Sequence, residues 1–89
     1  MYQQTVRVPR PAYSGRDPRK LAKFRSEVEL CVEIERELQR RFDAAPIGEP
    51  YSIMAYEVAA AIGRDLESVR QIMFSIDGGH NGVTFLKQS

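Results

Sequence analysis

Cysteine and histidine are almost missing from this 89-residue chain, which contains one of each, Cys31 and His80. A single cysteine cannot form a disulfide within the chain. One thiol and one imidazole also cannot supply the three or four nitrogen and sulfur ligands of a typical zinc site. We therefore expect a fold that contains neither a disulfide nor a metal site.

Long apolar runs are lacking as well. No stretch reaches the roughly 18 apolar residues that cross a bilayer, and the N-terminal residues MYQQTVR lack the apolar centre of a signal peptide. Walker-type phosphate loops, nucleophile elbows and clusters of metal ligands are also missing. The sequence thus predicts a cytoplasmic protein that is not an enzyme and that has no membrane partner, no cofactor and no small-molecule ligand.

Charge, by contrast, is plentiful and unevenly distributed, although the net charge is only +1. Residues 1–25 contain seven basic residues and one acidic residue, whereas residues 26–67 contain ten acidic and four basic residues. A basic segment of this kind either binds polyanions or is a solvated tail. Prolines at positions 9 and 11 predict an extended arm over residues 1–17, followed by a folded domain over residues 18–89.

Hydrophobic spacing predicts a long first helix over residues 18–43. Asp17 followed by Pro18 is a typical helix start, since aspartate caps free amides and proline at the first helical position gives up no needed donor. Apolar residues then recur every three or four positions. Leu30 and Val32 make this apolar stripe wider than a small core needs. The stripe therefore covers either a second copy of the chain or a broad core.

Two shorter helices and a strand should follow. Ser52 is a suitable cap for a helix over residues 53–62, and Asp65 for a helix over residues 65–77. Residues 80–86 contain a turn followed by β-prone residues, which predicts a strand. Its partner is either residues 74–76 or residues 3–8. The inward side of the third helix should consist of Leu66, Val69, Ile72 or Met73, and Ile76.

Residues 55–74 carry the most specific pattern. Two helices joined by a short turn cross closely, which requires a small residue at the crossing, a glycine in the turn and branched residues on the second helix. Ala59, Gly63 and Val69 meet these requirements in turn. At these positions the chain resembles the helix-turn-helix family of bacterial and phage DNA-binding proteins. The matching residues are Val58, Ala59, Gly63, Ser68, Val69 and Ile72.

The resemblance implies that residues 65–77 form a recognition helix that enters the major groove. Arg70 and Gln71 would read base edges, because a guanidinium pairs with the two acceptors of guanine and a carboxamide matches adenine. Phe74 would either touch a base or pack under the final strand. The DNA-contacting residues implied for this region are Arg64, Asp65, Glu67, Ser68, Arg70, Gln71 and Phe74.

The order of a long helix, two short helices and a strand also resembles the winged variant of this fold, which is mainly α with a small β element. It would place His80 and Asn81 at the tip of a wing, close to phosphates. Arg7 and Arg10 of the arm would lie in a minor groove, unless the Pro-Arg-Pro segment is a plain linker.

We therefore expect a nucleoid-associated protein that binds double-stranded DNA sequence-specifically, as a transcriptional regulator or as a phage or plasmid control protein. A homodimer through the helix of residues 18–43 is expected, because paired half-sites are the usual route to specificity for a small reader. The alternative is a winged-helix adaptor that binds a polymerase or a replication factor through its acidic first helix without reading DNA.

Overall fold

The computed structural model describes residues 6–77 and 81–87. This part of the chain is mainly helical with a small β element, as predicted, and the β element is an antiparallel sheet of two strands. None of its helices combines the length and the apolar character needed to cross a membrane. In chain order the elements are α1 (Pro18–Asp43), β1 (Pro50–Met54), α2 (Ala55–Ile62), α3 (Leu66–Asp77) and β2 (Gly82–Leu86).

The first helix, α1, has the predicted bounds. The Asp17 carboxylate accepts a hydrogen bond from the Arg19 amide at 3.0 Å, and Pro18 occupies the first helical position. One apolar side of the helix faces the core, as the spacing predicts. Its buried residues are Cys31, Ile34, Leu38 and Phe42.

The second helix begins at Ala55, so its predicted start at residue 53 is wrong. Residues 50–54 form β1 instead, in which Ile53 is buried and Ser52 exposed, with the period of two that strands have. Ser52 caps no helix, and its hydroxyl lies 3.0 Å from the hydroxyl of Thr84 across the sheet. The start of α2 is stabilised by the Glu57 carboxylate, which accepts a hydrogen bond from the Met54 amide at 3.1 Å.

The strand predicted near the C-terminus is present as β2, but its partner is neither of the two segments expected. It pairs antiparallel with β1, with Pro50 opposite Leu86 and Met54 opposite Gly82. Residues 74–76 belong to α3. Of the other expected partner, the described residues 6–8 lie against α1. The sheet joins segments that are distant in sequence, so local turn signals could not identify the pairing.

A tight turn at Gly63 separates α2 from α3. The glycine has φ +67° and ψ +37°, the left-handed region, and the amides of Gly63 and Arg64 both donate to the carbonyl of Ala59. The carboxylate of Asp65 then accepts hydrogen bonds from the amide of Ser68 at 3.0 Å and from its hydroxyl at 3.1 Å. Asp65 therefore caps α3, as predicted.

A single core connects all five elements. On α3, Val69 and Met73 are buried, but Leu66 is 43% exposed, so its predicted inward position is wrong. Leu66 belongs to the first turn of α3, at the rim of the core. The largest fully buried side chains are Ile34, Leu38, Ile53, Met73, Val8, Val58, Val69 and Val83.

Replacing Gly63 by alanine should lower the free energy of unfolding by about 1 kcal/mol, because a Cβ is disfavoured at this left-handed φ. No neighbouring atom lies within 4 Å of the added Cβ, so backbone strain alone is responsible. Gly63→Asn should cost less, since asparagine tolerates this region. Urea unfolding of the three proteins measures the difference, and an alanine variant as stable as the parent would contradict the turn geometry.

Candidate functional site

The outer side of α3 carries a shallow cleft of about 300 Å³. Its residues are spaced three or four apart, so they share one side of the helix, away from the buried Val69 and Met73. Gln71 is exposed, and the side chain of Arg70 is 39% exposed. Both residues that were predicted to read bases therefore point away from the core. The cleft is lined by Glu67, Arg70, Gln71 and Phe74.

Phe74 gives this cleft an apolar surface. Its side chain is 46% exposed, so the prediction that it packs under the final strand is wrong. Position 74 follows the buried Met73, and neighbouring residues in a helix point about 100° apart. The aromatic ring consequently lies on the outer side of α3, next to Arg70 and Gln71.

The charges in the cleft partly compensate each other. The Arg70 guanidinium lies 3.5 Å from the carboxylate of Glu67, one turn earlier on α3. The Glu67 side chain is 65% exposed, and ion pairs in such solvated positions contribute little to stability. The contact with Glu67 therefore contributes little to the stability of the fold.

Arg64 ties the turn before α3 to α1. Its Nε donates a hydrogen bond of 2.7 Å to the Glu33 carboxylate, and this bond is the main reason why the pKa of Arg64 is raised. The residue predicted to contact phosphate is thus held by an acid of the first helix. Glu33 was not among the predicted site residues, and only the excess of acids on α1 pointed to such a pairing.

The basic start of α1 lies beside the start of α3. A second cleft, of about 320 Å³, runs between these two segments. Lys23, whose side chain is 80% exposed, projects at its edge. The sequence located a basic segment over residues 1–25 but could not show that its helical part adjoins α3. The lining residues are Lys23, Ser26, Glu27, Leu30, Arg64, Asp65 and Ser68.

The arm over residues 6–17 is extended, as predicted, but it packs along α1. The Val6 amide donates to the side-chain oxygen of Gln39 at 2.7 Å, and the Val8 amide donates to the Glu35 carboxylate at 2.9 Å. Both valines are buried. Because Asp17 caps the other end of α1, the arm runs antiparallel to this helix and covers part of its apolar stripe.

Arg10 holds the arm in this position. Its guanidinium donates two hydrogen bonds to the Glu35 carboxylate, at 2.8 and 3.1 Å. These bonds, followed by the bond from the Val8 amide, lower the pKa of Glu35 below its ordinary value. Arg10 is therefore engaged by a carboxylate of its own chain, whereas Arg7 is exposed.

Glu33 and Glu35 place the turn and the arm on different sides of α1. Residues two apart in a helix point about 200° from each other. Glu33 binds Arg64 of the turn, and Glu35 binds Arg10 of the arm. The structure consequently does not bring Arg7 and Arg10 together with the outer residues of α3.

Of the two remaining predicted site residues, Asn81 directly precedes β2. Asn81 is exposed, and its carbonyl accepts a hydrogen bond of 2.6 Å from the Ala55 amide, which joins it to the start of α2. His80 lies outside the described residues. Within residues 6–77 and 81–87, no group of three potential metal ligands occurs.

Comparison of this chain with protein-family models, with curated proteins and with solved structures gives no match. Its function must therefore be inferred from the geometry and chemistry of its own residues.

Removing the charge of Glu35 should expose Cys31. The thiol lies 3.6 Å from the Pro9 carbonyl and is 2% exposed, and burial raises its pKa. In Glu35→Gln the arm loses its ionic contact, so a thiol reagent should label Cys31 several-fold faster. Glu29→Gln, the same change at an exposed position of α1, serves as the control. Equal labelling rates in both variants would show that the contact does not hold the arm.

The arm should also detach in acid. Because the pKa of Glu35 is lowered by the docked arm, docking is fully stabilised above the ordinary glutamate pKa and is lost as pH falls through the lowered value. The Val8 amide, which donates to this carboxylate, should report the change in proton–nitrogen spectra with a midpoint below the ordinary value. Arg10→Ala should move the midpoint upward. A midpoint unaffected by this substitution would contradict the assignment.

Proposed function

We propose that this chain is a sequence-specific double-stranded DNA-binding domain with a winged helix-turn-helix fold, and that α3 is its recognition helix. One observation carries the proposal: the left-handed turn at Gly63 keeps α2 and α3 separate and leaves Arg70, Gln71 and Phe74 on the outside of α3. A helix about 10–12 Å across fits a major groove about 12 Å wide.

The outer residues of α3 have complementary ways of recognising bases. Arg70 can donate two hydrogen bonds to guanine, and the carboxamide of Gln71 can pair with the donor and acceptor of adenine. Phe74, three residues after Gln71, adds an apolar surface suited to the methyl group of thymine. Glu67 can accept a hydrogen bond from the amine of cytosine. Together they form a site with distinct preferences at neighbouring base pairs.

Asp65 and Ser68 were also predicted to contact DNA, but both take part in capping α3. Asp65 accepts two hydrogen bonds from Ser68, so its carboxylate stabilises the start of α3 rather than contacting DNA. The amide and the hydroxyl of Ser68 are the donors in these two bonds. The hydroxyl can therefore only accept a further hydrogen bond, whereas a phosphate needs a donor. We therefore assign phosphate binding at this end of α3 to Arg64, which would exchange the Glu33 carboxylate for a phosphate.

The order of the elements supports the winged variant. β1 lies between α1 and α2, and β2 follows α3 and returns to pair with β1. In the winged variant, Asn81, which directly precedes β2, would lie where the wing meets the DNA backbone. On this basis we propose a nucleoid-associated role as a transcriptional regulator or as a phage or plasmid control protein.

A homodimer that reads two half-sites is part of the proposal, since a single small reader buries little surface on DNA. Leu30 and Val32 on α1 are half-buried, and Leu30 packs against the core. The arm covers a further part of this helix. The wide apolar stripe is thus largely used within the chain, so a dimer through α1 would have to use its polar outer side.

The competing candidate is an adaptor that binds a protein through the acids of α1. Three of these acids are already engaged by arginines, because Glu33 binds Arg64, Glu35 binds Arg10, and Glu37 binds Arg41. Titrating the protein with random and with selected duplexes at several salt concentrations separates the candidates. A DNA-binding domain should lose affinity steeply with salt and prefer the selected duplex, whereas an adaptor should show neither behaviour.

Arg70→Ala should weaken binding to a selected duplex by about 1–3 kcal/mol and should relax the preference at one base pair. The measurement is a titration of the variant against duplexes that carry each substitution in the selected site. Arg36→Ala removes the same charge from an exposed position of α1 and should leave the preferences unchanged. If the Arg70 variant discriminates among all duplexes as the parent does, this residue does not read bases.

A further inference from the structure

We propose that Arg19 and Lys23, in the first turns of α1, bind the phosphates that border the groove entered by α3, and that Arg7 and Arg10 of the arm do not. This inference rests on the function proposed for α3. It divides the basic segment of residues 1–25, which looks uniform in the sequence, into two surfaces with different roles.

Lys23 lies close to the start of α3. It lines the cleft between α1 and the start of α3, together with Arg64 and Ser68. Its ammonium group lies 3.9 Å from the Glu27 carboxylate, and its side chain is 80% exposed. Arg19 lies four residues earlier, one helical turn away on the same side of α1, and is also exposed. Two exposed cations therefore lie at the edge of a cleft that also contains Arg64 and the acids Glu27 and Asp65.

The width of the major groove determines what lies next to a helix that is bound in it. A helix about 10–12 Å across fills a groove about 12 Å wide, so a segment packed beside that helix faces the phosphate ridge. Lys23 and the turn of α1 that follows it line a cleft with the start of α3 and so lie beside that helix. Lysine and arginine side chains there would replace the counterions that phosphates otherwise hold.

The arm is docked on α1, away from the start of α3. Val6 and Val8 are buried and Arg10 is bound to Glu35, on a different side of α1 from the turn that precedes α3. For the arm to enter a minor groove next to α3, it would have to leave these contacts. The docked segment of residues 6–10 instead keeps Arg7 and Arg10 away from a duplex bound to α3.

The same helix offers a matched control. Arg25 follows Lys23 by two residues and therefore points about 200° away from it. Arg36 lies on that outer side of α1 as well, and both arginines are exposed. The double variant Arg25→Ala with Arg36→Ala consequently changes the net charge by the same amount as Arg19→Ala with Lys23→Ala, but on a surface that should not face DNA.

The experiment measures the affinity of the parent and of both double variants for one fluorescent duplex, selected by the parent from a random pool, over a range of salt concentrations. Each phosphate contact contributes about 0.9 to the slope of log affinity against log salt. Loss of two contacts should thus make the fall in affinity between about 50 and about 200 mM salt roughly tenfold smaller. We expect this change for the Arg19 and Lys23 variant and the parental slope for the control variant.

The possible outcomes distinguish the inference from the proposed function. Equal changes in both double variants would mean that net charge alone matters, and parental slopes in both would mean that α1 touches no phosphate; either result overturns the inference while DNA binding stands. A parent that binds no duplex at any salt concentration would reject the proposed function and the inference with it. Thermal unfolding of all three proteins checks that these exposed substitutions leave the fold intact.

Discussion

The left-handed backbone of Gly63 is the constraint on which the rest of the molecule depends. It allows two successive amides to share the carbonyl of Ala59, which ends α2 and starts a new helix after only three residues. Without this turn, residues 55–77 could continue as one rod. With it, each short helix buries one side in the common core, and the other side of α3 is left to solvent, where a partner can reach it.

The long helix α1 organises the charges around this arrangement. Its acids engage arginines from elsewhere in the chain: Glu33 binds Arg64 of the turn, and Glu35 binds Arg10 of the arm. These two acids of the acidic segment therefore position basic residues from the turn and from the arm. The first turns of α1 are the basic part that remains most exposed beside α3, and this distribution favours a polyanion as the partner.

Local features of the structure could be predicted from the sequence, whereas contacts between distant segments could not. The start of α1 and the cap of α3 follow from Asp17, Pro18 and Asp65, which act within a few residues of their own positions. β1 was missed because Ser52 also suits a helix cap, and only its pairing with β2 makes it a strand residue. The docking of Val8 was missed because it depends on a contact with Glu35 of α1, which is distant in sequence.

A titration of the isotope-labelled protein with a selected duplex, followed in proton–nitrogen spectra, tests most directly whether α3 is the surface that binds DNA. We expect the largest shifts for the amides of residues 67–74, with smaller shifts at the start of α1 and an unchanged signal for the buried Val8. Saturation with shifts confined to the arm, or to the sheet, would contradict this expectation.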